Sequence, residues 1–389
     1  VCGIAGFYQT HFDFTSSDEF LPRLNAMKDT LLHRGPDEND SFLSAHAGLA
    51  HARLSIIDLK GGRQPMKKVQ KMHTAVISYN GEIYNAAELR RYLSKYRLIW
   101  STSSDTEIII NGYLAEGSSF FQKLNGIFAF AIYDVKKDLL LLVRDRLGVK
   151  PLFYCIRENT LIFGSEPKAL FAYGVKPELD ETGWGEIFGT GPAHTPGCGV
   201  FKDIFELLPG TILTAKGEGT SLSVSSVAYW KLTAYAHTDS LEKTEEKVSF
   251  LVYDSVRRQM VSDIPICTFL SGGLDSSLVS AICAKELGKQ GKVLNTYSFD
   301  FIDNDKNFKS NSFQSSQDRP FAELMAKHIG SSHTFLECNN EIQADYLYKA
   351  VDARDIPCMA DVESSMLYFC SEVAKHQKVA ITGECADEI

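Results

Sequence analysis

No long hydrophobic run, no surplus of basic residues and no metal-binding cysteine pattern occur in the 389 residues. Apolar runs such as 139–143 (LLLLV) are far too short to span a bilayer as a helix. Lys and Arg number 40 against 49 Asp and Glu, a formal charge of −9, so no excess of cations stands ready to neutralise a nucleic-acid backbone. The nine cysteines, at 2, 155, 198, 267, 283, 338, 358, 370 and 385, contain no CxxC and no regular interval. An odd number in so long a chain reads as reduced thiols of a cytoplasmic protein, not as a disulfide framework. The ten histidines form no H-E-x-x-H pattern. A basic segment followed by an apolar one, the mark of a secretory leader, is also missing from the start. These absences exclude a membrane span, a nucleic-acid partner and a zinc-hydrolase motif.

What remains is a composition of 44% hydrophobic and 23% charged residues, suited to a globular protein of two domains at this length. The first half reads as mixed α+β. The run 74–79 (TAVISY) is strand-like, and Asn80-Gly81 behind it predicts a hairpin turn. Four runs, 128–134, 139–144, 151–155 and 161–165, are separated by short turn-rich stretches and predict an antiparallel meander. Helices fit 21–32, 87–95 and 106–115, the last opening on Ser104-Asp105-Thr106-Glu107 with capping-box spacing.

After Pro209-Gly210 the composition shifts toward Ser, Thr, Gly and Lys, which predicts a linker over 211–239 between domains at 2–210 and 240–389. Ser240 then caps an expected helix with Val248, Val252, Val256 and Met260 on one face. Strands and helices alternate from there to the strand-like VAITG (379–383), the pattern of a doubly wound parallel sheet.

Within that pattern, Leu270-Ser271-Gly272-Gly273-Leu274-Asp275-Ser276-Ser277 follows an apolar strand and opens a helix. Two glycines let the backbone approach a ligand, three hydroxyls add donors, and the helix N-terminus favours an anion. The Gly-Lys-Ser/Thr element of a Walker loop is missing. SGG alone would be a capped Gly-rich turn; the whole stretch at a strand-to-helix junction reads as a phosphate loop, and it resembles the pyrophosphate loop of the ATP pyrophosphatases. A second cluster, Thr382-Gly383-Glu384-Cys385-Ala386-Asp387-Glu388, follows the last strand, where doubly wound sheets bind ligands.

At the other end, Cys2 in VCGIAGF is either a buried structural thiol or a nucleophile with its own α-amine as base. The motifs behind it decide. Cys2-Gly-Ile-Ala-Gly-Phe, Arg34-Gly-Pro-Asp37, Arg53-Leu-Ser-Ile-Ile-Asp58, Asn80-Gly-Glu-Ile-Tyr-Asn85, Ser104-Asp-Thr-Glu107 and Asp145-Arg-Leu-Gly-Val-Lys-Pro151 occur in order. Together they resemble the class II, N-terminal-nucleophile glutamine amidotransferases. With SGGLDSS and TGECADE following, essentially the whole chain resembles the glutamine-hydrolysing asparagine synthetases of class B.

The resemblance implies an α+β sandwich of antiparallel sheets between helices, followed by an α/β doubly wound ATP-pyrophosphatase domain. It implies that Cys2 attacks glutamine, and that Asn80 and Gly81 form the oxyanion hole. Glutamine would be bound by Arg53, Leu54, Ser55, Ile56, Ile57, Asn80, Gly81, Glu82 and Asp105, with Arg53 on the α-carboxylate and Asp105 on the α-ammonium. ATP would be held by Leu270, Ser271, Gly272, Gly273, Asp275, Ser276, Phe299, Thr382 and Gly383, and Mg²⁺ by Asp275 and Asp387. Glu384 would orient or deprotonate the amine nucleophile. Aspartate would be adenylated on its β-carboxylate, and ammonia from glutamine would displace AMP to give asparagine. A homodimer is the family expectation.

Relatives such as β-lactam synthetases and peptide-cyclising homologues adenylate other carboxylates, but a competent Cys2 speaks against them; a non-catalytic homologue is the alternative of a different class. Two departures qualify the resemblance. Cys385 stands where the family more often has glycine. The lysine and aspartate contacts expected after the acidic motif do not occur before Ile389, so the second domain is expected to be incomplete at its C-terminal end. Val1 also precedes the nucleophile, and a Val1–Cys2 peptide bond would remove the α-amine, so the active form is expected to begin at Cys2.

Overall fold

The computed structural model describes residues 2–191, 193–312, 316–357 and 359–384. Its contacts divide the chain into two units, with the boundary after Ala234. In the first unit come β1 (Gly3–Tyr8), α1 (Phe20–Asp29), β2 (Glu38–Leu43), β3 (Ala47–Arg53), β4 (Met66–Gln70) and β5 (His73–Ile83). They are followed by α2 (Ala86–Leu93), α3 (Asp105–Glu116), β6 (Gly126–Asp134), β7 (Leu139–Arg144), β8 (Phe153–Arg157) and β9 (Thr160–Gly164). The unit ends with α4 (Pro167–Tyr173), α5 (Glu181–Gly185), β10 (Phe205–Glu206), β11 (Thr211–Glu218) and β12 (Ser221–Ala228).

The strands form two six-stranded sheets, ordered β10-β8-β9-β1-β3-β2 and β12-β11-β7-β6-β5-β4, antiparallel throughout. Their sequences explain why they stack. Strands such as FAFAI and LLLLV are apolar at every position, so both faces must be buried. Alternate residues accordingly enter different cores. Ile4, Val76, Ala129, Ala131, Leu140 and Leu142 meet between the two sheets. Ile77, Tyr79, Phe128, Phe130, Leu141 and Val143 face α2 and α3. Ala5 and Phe7 face α1 and α4, with Leu24, Met27 and Leu170. The result is a four-layer helix–sheet–sheet–helix sandwich, the fold class expected for the first domain.

Several local expectations give way to the tertiary structure. Asn80 and Gly81 are not a hairpin turn: they lie inside β5, opposite Ala129 and Phe128 of β6. The four runs from 128 to 165 do not form one meander, because β7 pairs with β6 and β11 while β8 pairs with β9 and β10 in the other sheet. The loop 145–152 is therefore a crossing between layers. The linker expected from 211 is shortened by β11 and β12, which extend the second sheet beside β7. Ser104 does cap α3, accepting from Thr106 N–H, but Glu107 does not close a capping box. The Glu107 carboxylate is buried, where it accepts from Ser101 N–H, Thr102 N–H and Lys68 Nζ.

In the second unit, α6 (Leu241–Gln259) starts at Ser240, whose hydroxyl accepts from Lys243 N–H. Then follow β13 (Ile266–Phe269), α7 (Leu274–Gly288), β14 (Asn295–Phe301), α8 (Asn304–Asn307) and α9 (Arg319–Ile329). The unit closes with β15 (Ser332–Cys338), α10 (Asn340–Arg354), α11 (Ala360–Ala374) and β16 (Val379–Ile381). The four strands are parallel, in the order β15-β14-β13-β16. Val256 of α6, and Val279 and Ile282 of α7, cover one face. Phe369 and Val373 of α11 cover the other. The chain builds outward from β13 to β15, then returns to the opposite side of β13 for β16. That reversal opens a crevice at the C-terminal ends of β13 and β16, where ligands of such sheets bind.

Candidate active sites

The first site collects at the start of β1, where Cys2 stands one residue ahead of the strand. Its Sγ receives the Leu54 N–H at 3.4 Å and directs its thiol to the Leu54 carbonyl at 3.7 Å. Burial pushes the thiol above its ordinary pKa, against the lowering pull of the Leu54 backbone and the Arg53 charge. The backbone of Cys2 is fixed separately, because Arg34 Nε donates to its carbonyl at 3.0 Å. Arg34 is in turn held by Glu166, whose carboxylate also takes His33 and Lys168. Burial alone would raise the Glu166 pKa, but His33, Arg34 and Lys168 bring it down to about 2. Neither Glu166 nor Arg34 was assigned a role from sequence, although Arg34 stands in a motif that drew attention.

Across the intersheet layer, Ser78 donates to the Ala50 carbonyl of β3, which sets the facing of the even-numbered residues of β5. Asn80 shares that facing. It is fully buried, and among the described residues neither its amide nitrogen nor its amide oxygen has a hydrogen-bond partner. A buried orphan amide costs roughly 1–3 kcal/mol, so its presence calls for a function. Gly81 beside it admits no side chain: a Cβ there would meet the Ile127 carbonyl oxygen at 2.2 Å. Its partner Phe128 is held from behind by Asp145, which accepts from the N–H groups of Phe128, Leu147, Val149 and Lys150. The DRLGVK motif is thus a carboxylate-wrapped loop that braces the ladder under Gly81.

Acidic groups line the far side. Asp105, at the first turn of α3, accepts from Tyr79 Oη at 2.7 Å, Ile83 N–H at 3.1 Å and Thr106 N–H at 2.9 Å. Burial still raises its pKa. Glu82 is raised to about 7, by burial first and then by the Asp105 charge, with Lys150 opposing. Two carboxylates this close favour a cationic ligand such as an α-ammonium. Of the remaining expected glutamine contacts, Ser55 N–H binds Asp37 and the Ile57 carbonyl takes Arg53, so Leu54 to Ile57 form a loop wrapped on the Arg53 guanidinium. Arg53 itself is buried and paired with Glu38 at 2.6 Å.

The second site lies at the crevice of the parallel sheet, in a cavity of about 600 Å³. Leu270, Ser271, Gly273, Asp275, Ser276, Phe299, Thr382, Gly383 and Glu384 all line it. Gly272 does not: it takes φ +90° and packs on α9, where a Cβ would lie 2.6 Å from Ala322 N. The loop is preformed by its hydroxyls, with Ser271 Oγ 2.9 Å from Ser276 Oγ and accepting from Gly273 N–H at 3.3 Å. Gly383 passes so close that a Cβ would meet the Asp275 carbonyl carbon at 2.7 Å and Ser276 N at 2.8 Å. Asp318 and Asp361 were missed by sequence reading and also line the cavity. Asp387 lies outside the described residues. Among the described residues no group of three His, Cys, Asp or Glu side chains forms a metal cage. A single wall carboxylate such as Asp275 fits Mg²⁺ carried in on phosphates, which keeps most of its ligands as phosphate and water. No helix among the described residues is long and apolar enough to cross a membrane.

Comparison with known proteins agrees with this division. Residues 1–230 match the glutamine amidotransferase domain family and residues 247–389 the asparagine synthase family. The chain is 43% identical to asparagine synthetase [glutamine-hydrolyzing] 3 of Bacillus subtilis, over all of this chain and 62% of that one. It is 30% identical to a putative asparagine synthetase of Methanocaldococcus jannaschii, over all of this chain and 75% of that one. It is also 30% identical to asparagine synthetase B of Escherichia coli, over all of this chain and 64% of the relative. The chain therefore spans a little over three-fifths of the length of the Bacillus and Escherichia proteins.

Proposed function

Because the chain belongs to the glutamine-hydrolysing asparagine synthetase family, we propose that its first unit releases ammonia from glutamine and its second uses ATP to join that ammonia to aspartate. The Cys2 thiolate attacks the side-chain carboxamide carbon of glutamine. The α-amine of Cys2 takes the thiol proton once Cys2 is the first residue of the mature chain. The oxyanion that forms is met by Asn80 Nδ2 and Gly81 N–H. Collapse expels ammonia and leaves a thioester on Cys2, which water hydrolyses to glutamate. Arg53 holds the α-carboxylate, and Asp105 with Glu82 the α-ammonium.

In the second unit the β-carboxylate of aspartate attacks the α-phosphorus of ATP. Pyrophosphate departs into the loop presented by Ser271, Gly273 and Ser276 at the N-terminus of α7. Asp275, with Asp387, would hold Mg²⁺, which neutralises phosphate charge when bound. Ammonia, oriented by Glu384, then displaces AMP from the acyl carbon to give asparagine.

The observation that carries the reading is Asn80, a buried amide with no partner among the described residues, on the face of β5 that Ser78 turns toward the other sheet. The test is product analysis with glutamine, ATP and aspartate. Glutamate, AMP, pyrophosphate and asparagine are expected; Cys2→Ala abolishes glutamate while ammonia-dependent AMP formation persists. Absence of glutamate from the wild-type protein beginning at Cys2 would sink the first half, and absence of AMP with aspartate and ammonia the second.

A further inference from the structure

Arg53 closes β3 with its side chain only 5% exposed. Its Nη1 donates to Glu38 Oε2 at 2.6 Å and to the Leu59 carbonyl at 3.2 Å. Its Nη2 donates to the Asp58 carbonyl at 2.7 Å and the Ile57 carbonyl at 3.3 Å. The terminal nitrogens are therefore fully engaged, and of the four acceptors Glu38 alone is charged. Glu38 opens β2 directly opposite Arg53 in the ladder, so the backbone holds the pair face to face. Yet the Glu38 side chain is one-third exposed, and its second oxygen lies 3.7 Å from Nε of Arg63, which is 81% exposed. One carboxylate thus faces two cations, one buried and one at the surface.

The geometry points to Glu38 as an internal competitor of the substrate for Arg53. The inference rests on the reading of the first unit as a glutamine site. A buried guanidinium left unpaired is costly, whereas exchange of one carboxylate for another keeps it paired throughout. An incoming α-carboxylate displaces Glu38, which moves toward Arg63 and water. A ligand whose α-carboxylate is amidated, as in peptide-bound glutamine, supplies no replacement charge. It is rejected because it leaves Glu38 in place or Arg53 unpaired. Glu38 therefore lowers affinity for glutamine while raising selectivity for the free amino acid.

The test is calorimetric titration with L-glutamine and with its α-carboxamide analogue. The Cys2→Ala protein serves as the wild-type reference and background, because it binds glutamine without hydrolysing it. Wild type, Glu38→Gln, Glu38→Ala, Arg53→Ala and the Glu38→Gln/Arg53→Ala double variant are compared, each checked for folding by thermal unfolding. Either Glu38 variant binds glutamine about three- to tenfold tighter than wild type, gains less for the carboxamide, and loses its advantage without Arg53. Unchanged or weaker glutamine binding by both Glu38 variants, or an equal gain for the carboxamide, overturns the inference alone. Failure of the wild-type protein to bind glutamine overturns it together with the glutaminase reading.

Discussion

The Arg34 guanidinium lies 2.5 Å from the Glu166 carboxylate, and the same side chain holds the carbonyl of Cys2 at 3.0 Å. The Cys2 backbone is thereby tied to a carboxylate 164 residues further along the chain, at the junction of β9 and α4. Glu166→Gln removes the charge that fixes Arg34 and is expected to lower glutamine turnover about tenfold or more through misplacement of the thiol. It also changes the pH response of stability. The folded pKa of Glu166, about 2, lies below its unfolded value. Its contribution, of order 2–3 kcal/mol, is therefore present above about pH 4.5 and lost as pH falls toward 2. Denaturant melts between pH 2 and 6 should show a shallower acid limb in the variant.

Glu82 titrates in the opposite sense. Its folded pKa of about 7 lies above the unfolded value, because burial and then Asp105 disfavour its charge. Its stabilising contribution is complete below about pH 4.5 and disappears as pH rises through 7. Glu82→Gln is expected to stabilise the protein by about 1–3 kcal/mol at pH 8 and to change little at pH 5. Equal effects at both values would show that Glu82 is not held protonated.

Asn80→Ala separates activity from stability. Loss of one oxyanion donor costs about 10²–10³ in kcat, while loss of a buried, unpartnered amide should leave the melting temperature unchanged or higher. A variant that loses both activity and several degrees of stability would mean that the amide has a structural partner.

Gly383→Ala tests the second site. The added Cβ falls within 2.8 Å of the Asp275–Ser276 backbone, so α7 or the end of β16 must shift. ATP binding by equilibrium dialysis is expected to weaken at least about tenfold, with glutamine hydrolysis in the first unit intact. Unchanged ATP affinity would place the phosphate loop elsewhere.

The strand-to-helix junction at 270–277 was legible because its signal is local: apolar strand, glycines, hydroxyls and helix start lie within ten residues. The layer structure of the first unit was legible only in part. FAFAI and LLLLV announce strands, but the sheet each strand joins depends on partners as distant as β11 and β10. Asn80-Gly81 misled for a related reason. The dipeptide is a good turn former in isolation, but long-range pairing with β6 overrides it, and the glycine is required by the close approach of Ile127. The helix α10 escaped notice because only Ala350 of its fifteen residues is buried, so no apolar stripe marks it. Cys2, Arg53 and Asp105 were found as members of motifs, whereas Glu166, Tyr79 and Glu38 act through contacts that no spacing reveals.

The position of Asn80 and Gly81 in the middle of a paired strand also bears on how this site tolerates length change. In a loop, an inserted or deleted residue would be absorbed by neighbouring backbone. In β5 a one-residue slip reverses the alternation of every side chain beyond it. Asn80 would then point into the helical layer that Tyr79 now occupies, and Tyr79 into the space between the sheets. An indel scan across 73–83 should therefore read as a sharp gap in viable lengths.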